Sequence, residues 1–137
     1  MLTPGMLHHI EMNVSVLKVS LSFWEPLLTM LGYTERENWH AGRSYILNGS
    51  CLLFVQAKNT TDAFNRRGVG LSHLAFQADS RHQVDQITAW VRESGFRILY
   101  KDVHPFQGET QHYALYCEDP DKIKVAIIAP AERESKQ

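Results

Sequence analysis

Two histidines stand at equivalent places in two similar stretches of the sequence. His9 lies in the segment LHHIEMNV, and His73 lies 64 residues later in the segment LSHLAFQA. Both segments alternate polar and apolar residues, which is typical of half-buried β-strands. Residues two apart lie on the same face of a strand, so Glu11 shares the face of His9, whereas His8 faces the core and is expected to be structural. Two imidazoles could bind a metal, and Glu11 could be a further ligand, a general base or a group that orients a histidine.

A third histidine belongs to the same set of candidates. Alternation from His112 to Cys117 places His112 and Tyr116 on one face, together with Ala126 of the following strand. His112 is either a ligand or hydrogen-bond donor of a pocket, or a histidine at the edge of a loop. Trp39 is predicted to border the pocket mouth, and its alternative role is packing. For Glu11, the alternative to a role in the site is a side chain that is salt-bridged or simply solvated.

The elements that position these residues begin with a strand and a helix. After the first strand, apolar residues recur at spacings of three and four from Leu17 to Leu31, which predicts an amphipathic helix with Ser15 as its N-cap. Three short strands follow, and Asn48-Gly49 predicts a tight hairpin between the last two.

The second half of the chain repeats this order. Ser80 followed by Gln83 predicts a helix N-terminus, and Gly95 predicts its end. Three strands are predicted afterwards, of which the segment 98–100 is the shortest, and a loop is predicted over 101–110.

These elements predict an α+β fold of two βαβββ repeats in one domain that spans residues 1–137. The repeats cover about 7–57 and 70–130, and the polar segment 58–69 joins them. Two such repeats can form one curved mixed sheet with the helices on its convex side, so that the concave side is a natural pocket.

Composition excludes several classes of partner. The chain of 137 residues has 44% hydrophobic and 21% charged residues, with a net charge of −1. This balance gives no basis for binding nucleic acid or anionic membranes, and no apolar run approaches the ~20 residues of a membrane span. The first residues lack a signal-peptide pattern, and Cys51 and Cys117 lie in strand patterns. A cytoplasmic protein with reduced thiols is therefore expected, and the basic pair Arg66-Arg67 is expected in a solvated loop.

The sequence resembles the vicinal-oxygen-chelate superfamily, which includes glyoxalase I, extradiol dioxygenases, methylmalonyl-CoA epimerase and the bleomycin- and fosfomycin-resistance proteins. The resemblance covers about 7–130, and its most specific pieces are LHHIE, GLSHLAF and YALYCEDPD. They also match a small bacterial glyoxalase-like subgroup. The resemblance implies a small-molecule ligand or substrate and a homodimer.

The resemblance also implies where a metal would bind. In the metal-using members, four ligands line the concave face, one from the first and one from the last strand of each repeat. The usual histidines map onto His9 and His73, but the usual carboxylate positions map onto Leu53 and Ala126. Gln56 could replace Leu53 only with a shift of register. Two neutral imidazoles without a carboxylate leave the charge of a divalent ion uncompensated, so a metal should bind weakly.

Three functions are consistent with this pattern. The first is a small-molecule-binding protein with a degenerate metal site, which holds its ligand in the concave pocket without a cofactor. The alternative is a lyase, isomerase or dioxygenase that uses a weakly held Zn, Ni, Mn or Fe ion. That ion would be bound by His9 and His73 with substitutes such as Glu11, Gln56, His112 or water. The third is a domain kept for self-association, against which the polar concave face argues. For the first two, the candidate ligand-binding residues are Glu11, His112, Tyr116 and Trp39.

Overall fold

The structure of the protein, a computed structural model, describes residues 3–107 and 112–131. The chain forms two compact units, Met1–Ala63 and Phe64–Gln137, and the boundary between them falls inside the polar segment 58–69. Within the described ranges, neither helix is long and apolar enough to cross a membrane.

The first unit contains one helix and four strands, in the order β1 (His9–Val14), α1 (Leu17–Met30), β2 (Thr34–Trp39), β3 (Gly42–Leu47) and β4 (Ser50–Gln56). The strands form a sheet in the order β1-β4-β3-β2, in which β1 and β4 are parallel and the other pairs antiparallel. Asn48 and Gly49 have φ angles of 51° and 86°. A type I′ turn requires positive φ at both central residues, so the predicted hairpin is confirmed.

Helix α1 packs on one face of this sheet. Its side chains Phe23, Trp24, Leu27 and Leu28 are fully buried, and the Trp24 ring centre lies 4.9 Å from that of Phe54 in β4. Removing such apolar surface from water is the main stabilising term, at roughly 25 cal/mol per Å². The opposite face of the sheet carries His9 and Glu11 and is called here the open face of the first unit.

The start of α1 differs from the prediction. Val16 is the N-cap residue and makes no side-chain cap, so the assignment of Ser15 as N-cap is wrong. Gln56, at the end of the neighbouring strand β4, caps the helix instead. Its Oε1 accepts a hydrogen bond from the Leu17 amide at 2.9 Å, and its Nε2 donates to the Ser15 carbonyl at 2.7 Å. Because its amide satisfies the helix terminus, Gln56 is not placed as a substitute metal ligand.

The second unit repeats the order of elements, with β5 (His73–Gln77), α2 (Arg81–Glu93), β6 (Phe106–Gln107), β7 (His112–Glu118) and β8 (Lys124–Ile128). Its sheet order is β5-β8-β7-β6, with β5 and β8 parallel. The prediction of one continuous curved sheet is therefore corrected to two mixed four-stranded sheets. Each unit completes its own ladder, because its first strand pairs with its own last strand.

Helix α2 begins as predicted. The Ser80 hydroxyl accepts a hydrogen bond from the Gln83 amide at 3.0 Å, and the Gln83 side chain accepts one from the Asp79 amide at 2.8 Å. Val84, Ile87 and Val91 are fully buried on one face of the helix, which packs against β7. The face of the second sheet opposite α2 is called here the open face of the second unit.

The segment after α2 is where the predicted strands fail. Ile98 makes only an isolated bridge to Cys117, so the predicted strand 98–100 is wrong. Tyr100 has a φ of 56°, in the left-handed region, and this turn prevents the chain from continuing as a strand. The third strand of the sheet is the two-residue β6, within the predicted loop 101–110, of which 108–110 lie outside the described residues.

The hairpin between β7 and β8 keeps a glycine-like conformation without glycine. Lys122 has a φ of 68°, in the left-handed region that favours glycine. The buried Asp119 carboxylate holds the turn by accepting hydrogen bonds from the amides of Asp121 and Ile123, each at 2.8 Å.

Both cysteines are free and buried, as predicted. Burial, aided by the neighbouring carboxylates of Asp119 and Glu118, raises the pKa of the Cys117 thiol to about 12. A thiol with so high a pKa is not a nucleophile near neutral pH, so Cys117 is a packing residue.

Candidate functional site

The open face of the first unit carries the first group of predicted site residues. His9 and Glu11 are exposed on this face. Met12, which follows Glu11 in β1, is buried on the opposite face. The ladder pairs Glu11 with Leu53. Leu53 therefore stands beside Glu11 on this face, and its apolar side chain offers no donor atom at the position to which the resemblance assigns a carboxylate.

His8 lies against His9 and not in the core as predicted. It precedes the first residue of β1, so the alternation of the strand does not apply to it, and its side chain is exposed. The Nδ1 atoms of the two rings are 2.9 Å apart, a hydrogen bond in which one ring donates and the other accepts. This bond occupies Nδ1 of His9 and leaves its Nε2 for a ligand.

Glu37 is a further acidic residue at this sheet that sequence reasoning missed. The Ser44 hydroxyl donates to Glu37 Oε1 at 3.2 Å and accepts from the Glu37 amide at 3.1 Å. Ser44 pairs with Leu53, so a row across the sheet joins Glu37, Ser44, Leu53 and Glu11. A register irregularity between Glu35 and Glu37 breaks the alternation of β2, which removed the signal that would have identified Glu37.

Trp39 lies at the end of β2 and covers Gly42. A Cβ atom on Gly42 would come within 2.5 Å of the indole and 2.9 Å of the Phe54 carbonyl oxygen, so only glycine fits beneath this ring. Trp39 also lines a groove of about 920 Å³ in the first unit, together with Leu17 of α1 and Arg43 of β3.

On the open face of the second unit, five positions meet in register. His73 pairs with Lys124, and Ala126 pairs with Ala75 on one side and Tyr116 on the other. The ring centres of His73 and Tyr116 are 6.3 Å apart in an edge-to-face arrangement. The alternation of β5, β7 and β8 thus places His73, Tyr116 and Ala126 on one face as predicted, and Ala126 is fully buried.

Lys124 and Tyr100 complete this group, and sequence reasoning named neither. The Lys124 ammonium donates a hydrogen bond to the Tyr100 hydroxyl at 2.7 Å and lies 5.1 Å from the centre of the Tyr116 ring. The ring centres of Tyr100 and Tyr116 are 5.5 Å apart. We call His73, Tyr100, Tyr116 and Lys124 the His73 cluster. A lysine two residues before Ala126, in an otherwise apolar strand, was the available signal.

The charges around the His73 cluster are unbalanced. Glu118 faces Lys124 across the ladder, but it pairs with Arg66 and, at 3.9 Å, with Arg97. Within the described residues, no carboxylate forms an ion pair with Lys124. Partial desolvation by its neighbours and then the Lys124 ammonium lower the pKa of His73, so its imidazole is neutral near pH 7.

Lys124→Gln should raise the pKa of His73, because it removes the repulsion between the ammonium and a protonated imidazole. The pKa of His73 should stay below its usual value, since partial desolvation is the larger cause of the shift and remains in the variant. NMR titration of the histidine ring protons measures this change. His104 is the internal control, because burial and then Arg92 lower its pKa. The pKa of His104 should rise in Arg92→Gln and not in Lys124→Gln. If the pKa of His73 is unchanged in Lys124→Gln, the ammonium does not lower it and the prediction is wrong.

His112 opens β7 and is exposed. It shares the face of Tyr116, four residues further along the strand, a separation of about 13 Å. Residues 108–111, which precede it, lie outside the described part of the chain. His112 therefore lies on the open face of the second unit, at the opposite end of the strand from Glu118.

The donor groups do not fit a divalent cation. Among residues 3–107 and 112–131, no group of three or more histidine, cysteine, aspartate or glutamate side chains is placed to hold a metal ion. The ladder neighbour of His73 is an ammonium, which repels a cation, and Ala126 offers no donor atom. That His9 and His73 bind one atom stays a prediction.

The chain belongs to the Glyoxalase/Bleomycin resistance protein/Dioxygenase superfamily, whose family model matches residues 6–127. This membership agrees with the repeated order of strand, helix and three strands. Proteins of this superfamily bind small-molecule ligands.

Individual relatives support the same assignment. The uncharacterized protein YqjT of Bacillus subtilis (strain 168) is 47% identical over 127 residues, which cover 91% of this chain and 99% of that protein. A crystal structure of a candidate glyoxalase from Bacillus halodurans has a TM-score of 0.90 and 49% identity, covering 93% of this chain and 97% of the other. A glyoxalase/bleomycin resistance protein from Albidiferax ferrireducens T118, 22% identical, shares the fold with a TM-score of 0.73, covering 93% of this chain and all of the other.

Proposed function

We propose that this protein binds a small organic molecule on the open faces of its sheets without a metal ion. The observation that carries the proposal is Lys124, whose ammonium is the ladder neighbour of His73. In metal-using relatives a bound cation would supply positive charge to a ligand. Here a fixed ammonium supplies positive charge beside His73, and Leu53 and Ala126 leave the carboxylate positions without donor atoms.

The second candidate is a metal-dependent lyase, isomerase or dioxygenase. It is favoured by the exposed His9 and Glu11 on one face of β1, with the His9 Nε2 left free by the hydrogen bond to His8. In that case Glu11 would be a ligand or the catalytic base. This function needs a bound divalent ion, because Lewis-acid catalysis depends on it.

Metal content separates the two functions. We expect protein purified without chelator or affinity tag to contain far less than one divalent ion per chain by plasma mass spectrometry. Ligands found by thermal-shift screening should bind equally well with and without EDTA. One tightly held ion per chain, together with loss of ligand binding in EDTA, would overturn the proposal in favour of the enzyme. The homodimeric state and the cytoplasmic location stay predictions.

A further inference from the structure

We propose that the His73 cluster is a subsite for the carboxylate group of an organic anion with an aromatic body. This inference rests on the proposed function, since it names the class of ligand that the open face of the second unit would bind. The subsite consists of the ammonium of Lys124, the hydroxyl of Tyr100, and the rings of Tyr116 and His73.

The hydrogen bond between Lys124 and Tyr100 determines which polar groups the cluster can offer. With Nζ 2.7 Å from the hydroxyl oxygen and 4.9 Å from the ring centre, the ammonium lies beyond the hydroxyl edge of Tyr100 and not above its ring. An ammonium has only donors, so the phenol oxygen accepts this bond and its own proton is directed elsewhere. The remaining ammonium protons and the phenol proton are all donors, and a carboxylate is the acceptor that matches them.

The charge of the His73 cluster also favours a carboxylate ligand. Lys124 has no ion-pair partner in the part of the chain that the structure describes, because Glu118, its ladder neighbour, pairs with Arg66 and Arg97. A half-buried ammonium without a counter-ion favours an anionic ligand. The imidazole of His73 is neutral, so Lys124 supplies the positive charge of the cluster.

The rings provide the contacts for the body of the ligand. Tyr100 is 46% exposed and His73 is also exposed, whereas Tyr116 is half-buried between them. The edge-to-face contacts of Tyr116 with both rings form an aromatic corner beside the ammonium. An aromatic body packs favourably on such rings, with gains of about 0.5–1.5 kcal/mol for each aromatic pair in proteins.

The backbone holds Tyr100 in a conformation that tyrosine rarely adopts. Its φ of 56° lies in the left-handed region, and its carbonyl accepts hydrogen bonds from the amides of Val103 and His104. Strained positions of this kind persist where the surrounding structure fixes them, and they concentrate at ligand sites. In this conformation the Tyr100 hydroxyl lies 2.7 Å from the Lys124 ammonium.

Benzoate and its neutral analogue benzamide test the inference. Titrations of the intact protein in EDTA, followed by NMR shifts of the tyrosine and histidine ring protons, give both dissociation constants. Benzoate should bind about tenfold or more tightly than benzamide, as expected for a hydrogen-bonded charge. Lys124→Gln should remove this preference by weakening benzoate about tenfold, and Tyr100→Phe should weaken it less.

Lys122→Gln is the matched control, because it removes the same charge two residues away and should leave both constants unchanged. A circular dichroism spectrum and unfolding curve like those of the wild type establish that Lys124→Gln is folded. Equal binding of benzoate and benzamide, no binding of benzoate, or no effect of Lys124→Gln would overturn the inference and leave the proposed function standing. Binding that occurs only after zinc is added would overturn the proposed function itself.

Discussion

Ala126→Glu combined with Lys124→Gln should raise the affinity of this protein for Zn²⁺ by about tenfold or more, equivalent to about 1.4 kcal/mol. The wild type should bind zinc, nickel and manganese only weakly, because imidazoles alone leave the charge of the ion uncompensated. A carboxylate at position 126 lies in the ladder between Ala75 and Tyr116, on the face of His73. It supplies the charged oxygen that divalent ions require.

Both substitutions are needed because of the position of Lys124. It lies two residues from position 126 on the same face, about 6.5 Å along the strand. In Ala126→Glu alone, the ammonium would pair with the new carboxylate and compete with the metal. Ala126 is also fully buried, so an unpaired carboxylate there costs stability. The single variant should therefore gain less metal affinity than the double variant.

Calorimetric titration of the wild type, the single variant and the double variant measures this order. Adding His73→Ala to the double variant should abolish the gain, and adding His9→Ala tests the prediction that both imidazoles reach one ion. A wild type that binds one zinc ion tightly, and loses it on Glu11→Ala or His112→Ala, would show that other residues rebuilt the metal site. The proposal of metal-independent binding would then be wrong.

The parts of the site that alternation controls were predictable from the sequence. A strand has a period of two, so the faces of His9 with Glu11, and of Tyr116 with Ala126, follow from local order alone. The same reasoning failed for His8, which lies before the first strand, and for Glu37, which follows an irregularity in β2. Both errors occur where the backbone departs from regular strand geometry.

The remaining features depend on contacts between residues far apart in the chain. Gln56 caps α1 across 39 positions, and the Lys124 ammonium meets Tyr100 across 24. No local pattern encodes such contacts, because they arise only when the strands pair. The Tyr100 contact depends further on a positive φ at a residue that rarely adopts one.

The pair Arg66-Arg67 shows how such a contact changes an interpretation. The sequence predicted a solvated loop for both residues, and this is correct for Arg67, which is exposed, and wrong for Arg66. The Arg66 guanidinium donates hydrogen bonds to the Glu118 carboxylate and, at 3.0 Å, to the Lys122 carbonyl. The Glu118 side chain is 7% exposed, and its other partner Arg97 is 3.9 Å away and 71% exposed.

Arg66→Ala should therefore lower the free energy of unfolding by about 3 kcal/mol, because it leaves a buried carboxylate without its close partner. Urea denaturation followed by circular dichroism measures the loss. Arg67→Ala removes the same charge from the adjacent exposed position and should change stability by less than about 0.5 kcal/mol. Adding Glu118→Gln to Arg66→Ala should recover part of the loss, since the uncompensated charge is then absent. Equal effects of Arg66→Ala and Arg67→Ala would mean that the ion pair between Arg66 and Glu118 contributes nothing to stability.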